Sequence, residues 1–459
     1  MIDVKTKIHD KFSIEFKVRF EGDESLDCDT SKRGSQSQFA INTWIFIPGS
    51  LDVNSSTYDK LSFHRDVKSN IRLITPAFTL EELVADDHYA QLTSLAEEEM
   101  AFQLKLAAAI FKSAMRNEAD WMAEVSEEEM EGFRERVCCL LNRFRQLKSR
   151  LPESALETFA AADEFMSHIA ELQSLRLLNV HKDNESLRQL VADEQHYKKE
   201  QGYAVATLKG DNANLIAHHS LLKKHIESPL YLRVDTEKDG KAVEQFWLGV
   251  AAGIAMLVST AVALPFQHYW SNYPTFIFII LVVAYMLKDR TKEFFRGLFS
   301  NQLKNRYFDQ RTEIRLKDRK LGWIKESVDF VNAAKVPASV MKLRNRGHLE
   351  QEGLAEQILF YRKRVQVDNS QLHNQQGYCF EGIHDIMRFH LHNFTTKMDD
   401  PTASINTLDE EGRLVTMEVP RTYTFHIVMQ FLEQKSLNTE QRLFKITATR
   451  DGICSVEMR

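Results

Sequence analysis

The sequence predicts an α+β membrane protein: a helical bundle with small antiparallel sheets near both termini and a two-helix transmembrane hairpin. Three observations lead to this class. Apolar residues alternate near both ends of the chain, which is typical of half-buried strands. Apolar residues at helical spacing fill the region 79–227, which predicts a bundle. Two long uncharged runs occupy 246–287, and such runs are typical of membrane helices.

Length, charge and cysteine content narrow the class of protein. A chain of 459 residues is long enough for several water-soluble domains. The negative mean hydropathy excludes a polytopic transporter, and the net charge of −6 argues against a nucleic-acid partner. The five cysteines form no CxxC pair, as expected in a reducing compartment. The first residues contain no apolar signal segment, so we expect the N-terminus to be cytoplasmic.

The region 1–78 is predicted to be a small β-rich unit. Phe12–Phe20 alternates apolar and polar residues, and Phe39–Ile47 is a second apolar run that ends at Pro48. Asn70–Ile74 is a short third candidate strand. Three short strands are too few for much independent stability, so this sheet needs a partner layer.

The region 79–227 is predicted to be a cytoplasmic helical bundle. Thr79 and Glu82 have the spacing of a capping box at a helix start, and a second box is expected at Ser126 and Glu129. A core-facing stripe at three- and four-residue spacing follows. It consists of Met130, Phe133, Val137, Leu140 and Phe144. Residues 228–245 form a charged linker into the membrane segment.

Two apolar runs predict the transmembrane helical hairpin at 246–287. Phe246–Phe266 contains no charged residue and, at about 1.5 Å per residue, spans roughly 30 Å, the thickness of the hydrocarbon core. Pro274–Leu287 is shorter, and an aromatic stretch at 268–273 is expected to form its interfacial start. The alternative is a buried helical hairpin inside a soluble domain.

Charge on the flanks of the runs predicts the orientation. Lys288, Arg290, Lys292 and Arg296 follow the second run and are predicted to lie at the membrane surface, whereas residues 267–273 carry no Lys or Arg. Because basic flanks stay inside, both termini are expected in the cytoplasm. The chain is therefore predicted to be a two-pass protein of the cell inner membrane, with the lipid bilayer as its first partner.

Small residues on the first run predict a helix-packing face. It consists of Gly249, Gly253, Ala255, Ser259 and Ala263. Small side chains let helix backbones approach closely, so this face is expected to pack on the second run or on another subunit of a homo-oligomer. Neither run contains an acidic or basic residue of the kind that marks an ion path, so an anchor is favoured over a transporter.

The remaining chain is predicted to continue as helix and then turn to strand. The region 288–365 is expected to be basic, amphipathic and helical, and helical patterns continue through Trp323–Val367. Gly382–Phe394 is expected to be one further amphipathic helix within the α+β region 366–459. Leu414–Val419, Thr422–Leu432 and Leu443–Ala448 are candidate strands. Whether the terminal strands share one sheet or form two units is left open.

Candidate chemistry is sparse. No phosphate-binding loop, dinucleotide fingerprint, nucleophile elbow or kinase signature occurs in the sequence. His384, His390 and His392 lie close together beside Asp385, but their spacing on a helix is wrong for shared metal ligation, so packed histidines are preferred. Cys379, with His384 and Asn393, resembles a thiol-protease trio only superficially. We assign no metal site and no cofactor, and the catalytic residues are unknown.

Topology and composition together favour a binding role. We expect a membrane-anchored cytoplasmic binding, scaffold or regulatory protein of unknown ligand, with a cytoplasmic protein partner. One alternative is a membrane-tethered enzyme without a recognisable motif, with 379–392 as the first place to look. A less favoured alternative is a small oligomeric channel built on the face with Gly249 and Gly253.

Overall fold

The structure is a computed structural model, and it describes most of the chain. The described residues are 2–21, 36–85, 96–124, 129–207, 212–269, 274–304, 307–344, 356–372, 380–433 and 439–459. The predicted capping box at Ser126 lies outside these residues. So do the two cysteines Cys28 and Cys379, and the connecting residues 270–273.

An eight-stranded antiparallel sheet dominates the fold, and it contains strands from both ends of the chain. The strand Gln36–Ile47 lies near its centre, where Trp44 stands opposite Phe360 on one neighbouring strand and Val428 on the other. The terminal segments therefore share one sheet. From edge to edge the strands are β14 (Gly452–Met458), β13 (Thr439–Thr449), β12 (Tyr423–Glu433), β3 (Gln36–Ile47), β8 (Gln357–Asp368), β7 (Arg319–Val331), β6 (Gln310–Leu316) and β5 (Arg233–Glu237).

A four-stranded antiparallel sheet packs on one face of the large sheet. The rings of Phe16 and Phe444 lie 5.3 Å apart across this interface, and those of Phe20 and Phe39 lie 5.1 Å apart. In order, its strands are β1 (Ile2–Asp10), β2 (Ser13–Glu21), β9 (Gly382–His390) and β4 (Val67–Leu73). The strands β10 (Thr402–Leu408) and β11 (Leu414–Pro420) form a separate two-stranded ribbon. The prediction of small sheets near the termini is therefore wrong: the sheets are large and built from distant segments.

Helices lie beside the two sheets, mostly in one bundle. Met130, Phe133, Val137, Leu140 and Phe144 are all fully buried, which confirms the predicted stripe. Thr79 and Glu82 exchange both hydrogen bonds of the capping box. The helices are α1 (Lys60–Asp66), α2 (Leu80–Ala85), α3 (Glu97–Met122), α4 (Met130–Gln146), α5 (Leu156–Leu178), α6 (Glu185–Gln201), α7 (Ala213–Ile226) and α10 (Ala338–Arg344), with short turns at Asn369–Leu372 and His392–Thr395.

Two predicted helical regions are strands. The predicted helix Gly382–Phe394 is β9 followed by a short helical turn, because β9 is hydrogen-bonded on one side to β2 and on the other to β4. Among the described residues, the prediction of helix through Trp323–Val367 is confirmed only at α10 and is wrong for β7 and β8, which pair with each other inside the large sheet. Pairing with distant strands overrode a local pattern that suited either structure.

The apolar runs form two long helices, α8 (Lys241–Tyr269) and α9 (Pro274–Lys304), which pack against each other. α8 follows β5 and α9 precedes β6, and β5 and β6 are paired neighbours at the edge of the large sheet. The chain therefore leaves the sheet and returns to it at one place. We call these helices the helical pair, and the rest of the described protein the body.

The predicted two-helix transmembrane hairpin is not supported. Among the described residues only one helix, Lys241–Pro265 within α8, is long and apolar enough to cross a membrane. α9 is helical throughout, but its apolar part ends at Leu287 and charged residues follow for the remainder of the helix. The fold class is thus α+β with large antiparallel sheets.

Candidate functional site

The helical pair exposes apolar side chains instead of burying them. Only 11% of the most apolar 18-residue stretch of α8 is buried inside the protein, so α8 is not the core helix of a soluble domain. Its contact with α9 is a narrow row in which Ala251 and Ala255 are buried. Ser259 belongs to the same row, and its hydroxyl donates a hydrogen bond to the carbonyl oxygen of Ala284 at 2.9 Å.

The register of the two helices places charges beside the first half of α8. Ser259 lies next to Ala284, and the ring of Trp247 lies 4.9 Å from that of Phe299. Since the helices are antiparallel, the charged stretch 288–296 of α9 lies beside residues 247–255 of α8. A bilayer that accepted the whole apolar run of α8 would also enclose these charges, at high cost. This register is a physical reason why a two-helix transmembrane hairpin is not supported.

Beyond the charged stretch, the far part of the pair is apolar on both helices. We call this part the apolar tip: α8 from Met256 onward and α9 as far as Leu287. At 1.5 Å per residue each helix contributes about 20 Å to it. Large apolar side chains are exposed on both helices of the tip: Met256, Leu257, Val258, Leu264, Phe278, Ile279, Leu281, Val282, Val283, Tyr285, Met286 and Leu287.

The predicted membrane-surface residues form a basic collar below the tip, which we define as Lys288, Arg290, Lys292 and Arg296. All four lie on α9, Lys288 half-buried and the others exposed. The ammonium group of Lys288 lies 4.1 Å from the centre of the Tyr285 ring at the boundary with the tip. Only Asp289 and Glu293 oppose these charges within the stretch, so the collar is net positive.

The predicted helix-packing face is divided between two sides of α8. Ala255 and Ser259 contact α9, and Ala263 is half-buried. Gly249 and Gly253 are exposed, and a methyl group added to either would meet no atom within 4 Å. α9 does not use the two glycines, so their packing role in an oligomer remains a prediction.

Of the three histidines, His384 and His390 lie on β9 and His392 begins the helical turn after it, and they do not converge on one point. His384 is buried, and its burial, together with Lys17 and Arg72, lowers its pKa to about 3. His390 instead bonds to Ser13 through Nδ1 at 2.8 Å. Asp385 points into the space between the sheets, where it contacts Ser69. The described residues contain no group of three histidine, cysteine or acidic side chains placed to hold a metal ion.

The proposed thiol-protease trio receives no support from the described residues. Asn393 donates a hydrogen bond to Asp66 at 2.7 Å, and its side chain is therefore engaged inside the body. Cys379 lies outside the described residues.

A buried ionic cluster between the two sheets was not predicted from the sequence. Lys363 of β8 is 1% exposed, and its ammonium group contacts Asp385 of β9 and lies 3.2 Å from Glu326 of β7. The hydroxyl of Ser69 on β4 accepts a hydrogen bond from Lys363 at 3.0 Å and donates one to Asp385. Lys363 thus links the two sheets.

The charges in this cluster stabilise one another. Burial alone would raise the pKa of Glu326, but Lys363 and the Tyr361 hydroxyl hold it below its ordinary value. Burial alone would lower the pKa of Lys363, but Asp385 and Glu326 raise it. Both groups are therefore charged at neutral pH. An isolated buried charge is costly, so each of these charged groups requires its ion-pair partner to remain buried.

One sequence signal could have revealed the cluster. β8 alternates inward and outward residues, and Lys363 occupies an inward position between Tyr361 and Val365, which are both buried. A lysine at a core position of a strand requires a buried acidic partner. The partners themselves follow only from strand pairing, which places Glu326 opposite Lys363.

The cluster borders a cavity of about 210 Å³, which we call the polar cavity. Its lining from the large sheet includes Glu326, Lys363 and, on β5 and β6, Thr236, Gln310 and Thr312, whereas Ser69 lines it from the four-stranded sheet. β5 and β6 lead directly into the helical pair.

No protein-family model matches this chain, and no curated protein or solved structure matches it either.

Proposed function

We propose that the protein is held at the surface of a lipid bilayer by its apolar tip, and that the body acts there by binding, as a scaffold, sensor or regulatory protein. The observation that supports this proposal is the exposure of apolar side chains around both helices of the tip. Large exposed apolar surfaces are rare on soluble monomers and mark sites of interaction.

The distribution of exposed residues favours lipid over a protein partner. Leu281, Val282 and Val283 are consecutive and all exposed, and so are Met256, Leu257 and Val258. Consecutive residues point about 100° apart on a helix, so the apolar surface faces several directions at once. A single protein partner covers one side, whereas a bilayer surrounds the pair. The basic collar directly below complements anionic lipid headgroups.

The depth of the tip favours insertion without crossing. Its length of about 20 Å is shorter than the hydrocarbon core of roughly 30 Å. α8 cannot cross alone, because α9 returns along it and the chain rejoins the sheet at β6, next to β5. The body therefore stays on one side of the membrane. Its location in the cytoplasm, at a cell inner membrane, is part of the proposal.

Vesicle flotation of the purified full chain tests the attachment. The wild-type protein is expected to float with anionic vesicles, and Leu257→Lys in the tip is expected to lose about 3 kcal/mol of insertion free energy, roughly a hundredfold in partition. Leu61→Lys is the matched control, because Leu61 is 79% exposed but lies on α1 in the body. Equal flotation of Leu257→Lys and wild type would refute attachment through the tip.

A polarity-sensitive fluorophore on single introduced cysteines measures the depth. We expect a blue-shifted, lipid-quenched signal at position 257 and a water-like signal at position 293, since Glu293 is exposed within the collar stretch. A lipid-like signal at both positions would mean that the charged half of the pair also enters the hydrocarbon, contrary to the proposal.

The side of the membrane can be tested with a native thiol. Cys454 is exposed on the body and is free. A membrane-impermeant thiol reagent is expected to leave Cys454 unlabelled in intact cells and to label it in lysed cells, with Cys454→Ser as the control for other cysteines. Labelling of Cys454 in intact cells would place the body outside the cytoplasm.

A further inference from the structure

The ionic cluster that borders the polar cavity has an unbalanced formal charge. It contains one ammonium group, that of Lys363, and two carboxylates: that of Glu326, which lines the cavity, and that of Asp385, which contacts Lys363 from β9. Their formal sum is one negative charge in the interior of the body. A buried net charge is costly and favours a counter-charge close by.

The hydrogen-bond donors of Lys363 and Gln310 on the cavity wall are used, and Nε2 of His64, which makes no hydrogen bond to the described residues, lies 3.7 Å from a carboxylate oxygen of Asp309. An ammonium group has three donors, and those of Lys363 go to Glu326, Asp385 and Ser69. The side-chain amide of Gln310 donates to Glu326 at 2.8 Å and to Nδ1 of His64 at 3.0 Å, and it has no third donor. Neither the ammonium group of Lys363 nor the amide group of Gln310 therefore has a free N–H to donate to an anion in the cavity.

Acceptors, in contrast, remain available. Glu326 accepts from Tyr361, Gln310 and Lys363, whereas a carboxylate has about four acceptor positions. The hydroxyls of Thr236 and Thr312 bond to each other at 2.9 Å, and each oxygen has a further lone pair. A suitable ligand therefore brings both a positive charge and N–H donors.

The size and the apolar part of the wall limit the rest of the ligand. A volume of about 210 Å³ is several times the roughly 30 Å³ that one water molecule occupies in the liquid. The remaining wall includes Val67, Ile71, Val234 and Ile324, which can contact methylene groups. These dimensions suit a short aliphatic chain rather than a nucleotide or an aromatic ring system.

We propose that the polar cavity binds a short aliphatic primary amine as its ammonium ion. The ammonium group donates to the remaining acceptor position of Glu326 and to the hydroxyl oxygens of Thr236 and Thr312, and it neutralises the cluster. The carbon chain lies against the apolar part of the wall. This site is in the body and is independent of the apolar tip.

Calorimetric titration of the full chain with four related compounds tests the proposal. We expect binding of n-butylammonium, and weaker or no binding of tetramethylammonium, which has the charge but no N–H donor. We expect no binding of n-butanol, which lacks the charge, or of butyrate, which has the opposite charge. Absence of butylammonium binding at millimolar concentration would overturn the proposal, and so would equal binding of butanol.

Variants locate the site. Glu326→Gln removes the charge that faces the cavity and is expected to weaken butylammonium binding about tenfold or more. Glu313→Gln is the matched control, because Glu313 lies on neighbouring β6 but bonds to Lys320 outside the cavity. If Glu326→Gln does not fold, Thr312→Val replaces it, with several-fold weaker binding expected. Butylammonium binding that neither variant weakens would assign the amine to another site.

Discussion

The apolar tip and the polar cavity are opposite in polarity to what their positions would ordinarily dictate. In the tip, Leu257 and Met286 are 71% and 62% exposed, although both are large and apolar. In the sheet interior, Lys363 and Asp385 are each 1% exposed, although both are ionisable. Each region requires a specific environment: under the proposed function the tip requires an apolar medium outside the protein, and the cavity requires complementary charge within it.

The largest effect is expected when the buried cluster loses its ammonium group. Lys363→Met leaves two buried carboxylates without their counter-charge, and we expect a loss of about 3–5 kcal/mol in the free energy of unfolding, measured by urea denaturation. Lys5→Met on exposed β1 is the control and should change it by less than about 0.5 kcal/mol. A loss below about 1 kcal/mol for Lys363→Met would show that the stability of the interior does not depend on the ammonium group of Lys363.

The pH dependence of the same variant sharpens this result. In the wild type the pKa of Glu326 is lowered, so its stabilising contribution is present above the ordinary glutamate pKa of about 4.3 and is lost as pH falls below it. The penalty of Lys363→Met is therefore expected to shrink in acid, where the carboxylates take up protons. A penalty that stays constant from neutral pH down to about pH 3, which is about one unit below that pKa, would contradict this account.

The next effect concerns the contact between α8 and α9. Ala255→Leu inserts a large side chain into a buried position and is expected to destabilise the pair by about 1–3 kcal/mol. Hydrogen exchange of α9 amides near Ala284 should then accelerate about tenfold. Gly253→Leu adds a larger side chain two residues away into open space and should not accelerate exchange. Similar acceleration in both variants would contradict the described register of α8 and α9.

A smaller effect is expected in the basic collar. Lys292→Gln removes one exposed charge and should weaken binding to anionic vesicles by about 1 kcal/mol, roughly fivefold, at low ionic strength. Binding to zwitterionic vesicles should not change. Lys342→Gln, exposed on α10 in the body, is the control. An equal loss on both kinds of vesicle would mean that Lys292 acts through helix stability and not through lipid charge.

The smallest effect is expected for an ion pair in the collar stretch. Arg290 and Glu293 lie 3.5 Å apart with side chains 86% and 73% exposed. Because water screens such pairs, Glu293→Gln should change the free energy of unfolding by less than about 0.5 kcal/mol. The corresponding amide substitution at buried Glu326 should cost several times more. Similar losses in the free energy of unfolding at Glu293 and Glu326 would contradict the distinction between exposed charges on the helical pair and buried charges in the body.

The sequence predicted some elements of the fold well and others poorly. The strand at Phe12–Phe20, the strand at Phe39–Ile47 and the helical stripe from Met130 to Phe144 have clear local periodicity, and all three are present. Gly382–Phe394 has apolar residues at spacings that suit both helix and strand, and the prediction of a helix was wrong. Where periodicity is ambiguous, hydrogen bonding to strands far away in the sequence decides the structure.

The candidate site was predicted in part. The apolar runs and the basic residues of the collar are visible as composition, so the exposed character of the pair could be expected. The mutual register of α8 and α9 depends on the contact row at Ala255 and Ser259, and composition does not specify it. The predicted hairpin was wrong at this step, because the sequence does not show that the charges after Leu287 lie beside the first half of α8.

The apolar and charged stretches of the helical pair can be read from the sequence alone, because hydrophobicity and charge are properties of single side chains. The position of the charges relative to the tip, and the set of side chains that meet in the cavity, depend on the tertiary structure. Ser69, Glu326, Lys363 and Asp385 belong to four strands separated by up to about three hundred residues. Their meeting depends on the register of two sheets, a collective property of many backbone hydrogen bonds and of the core between the layers.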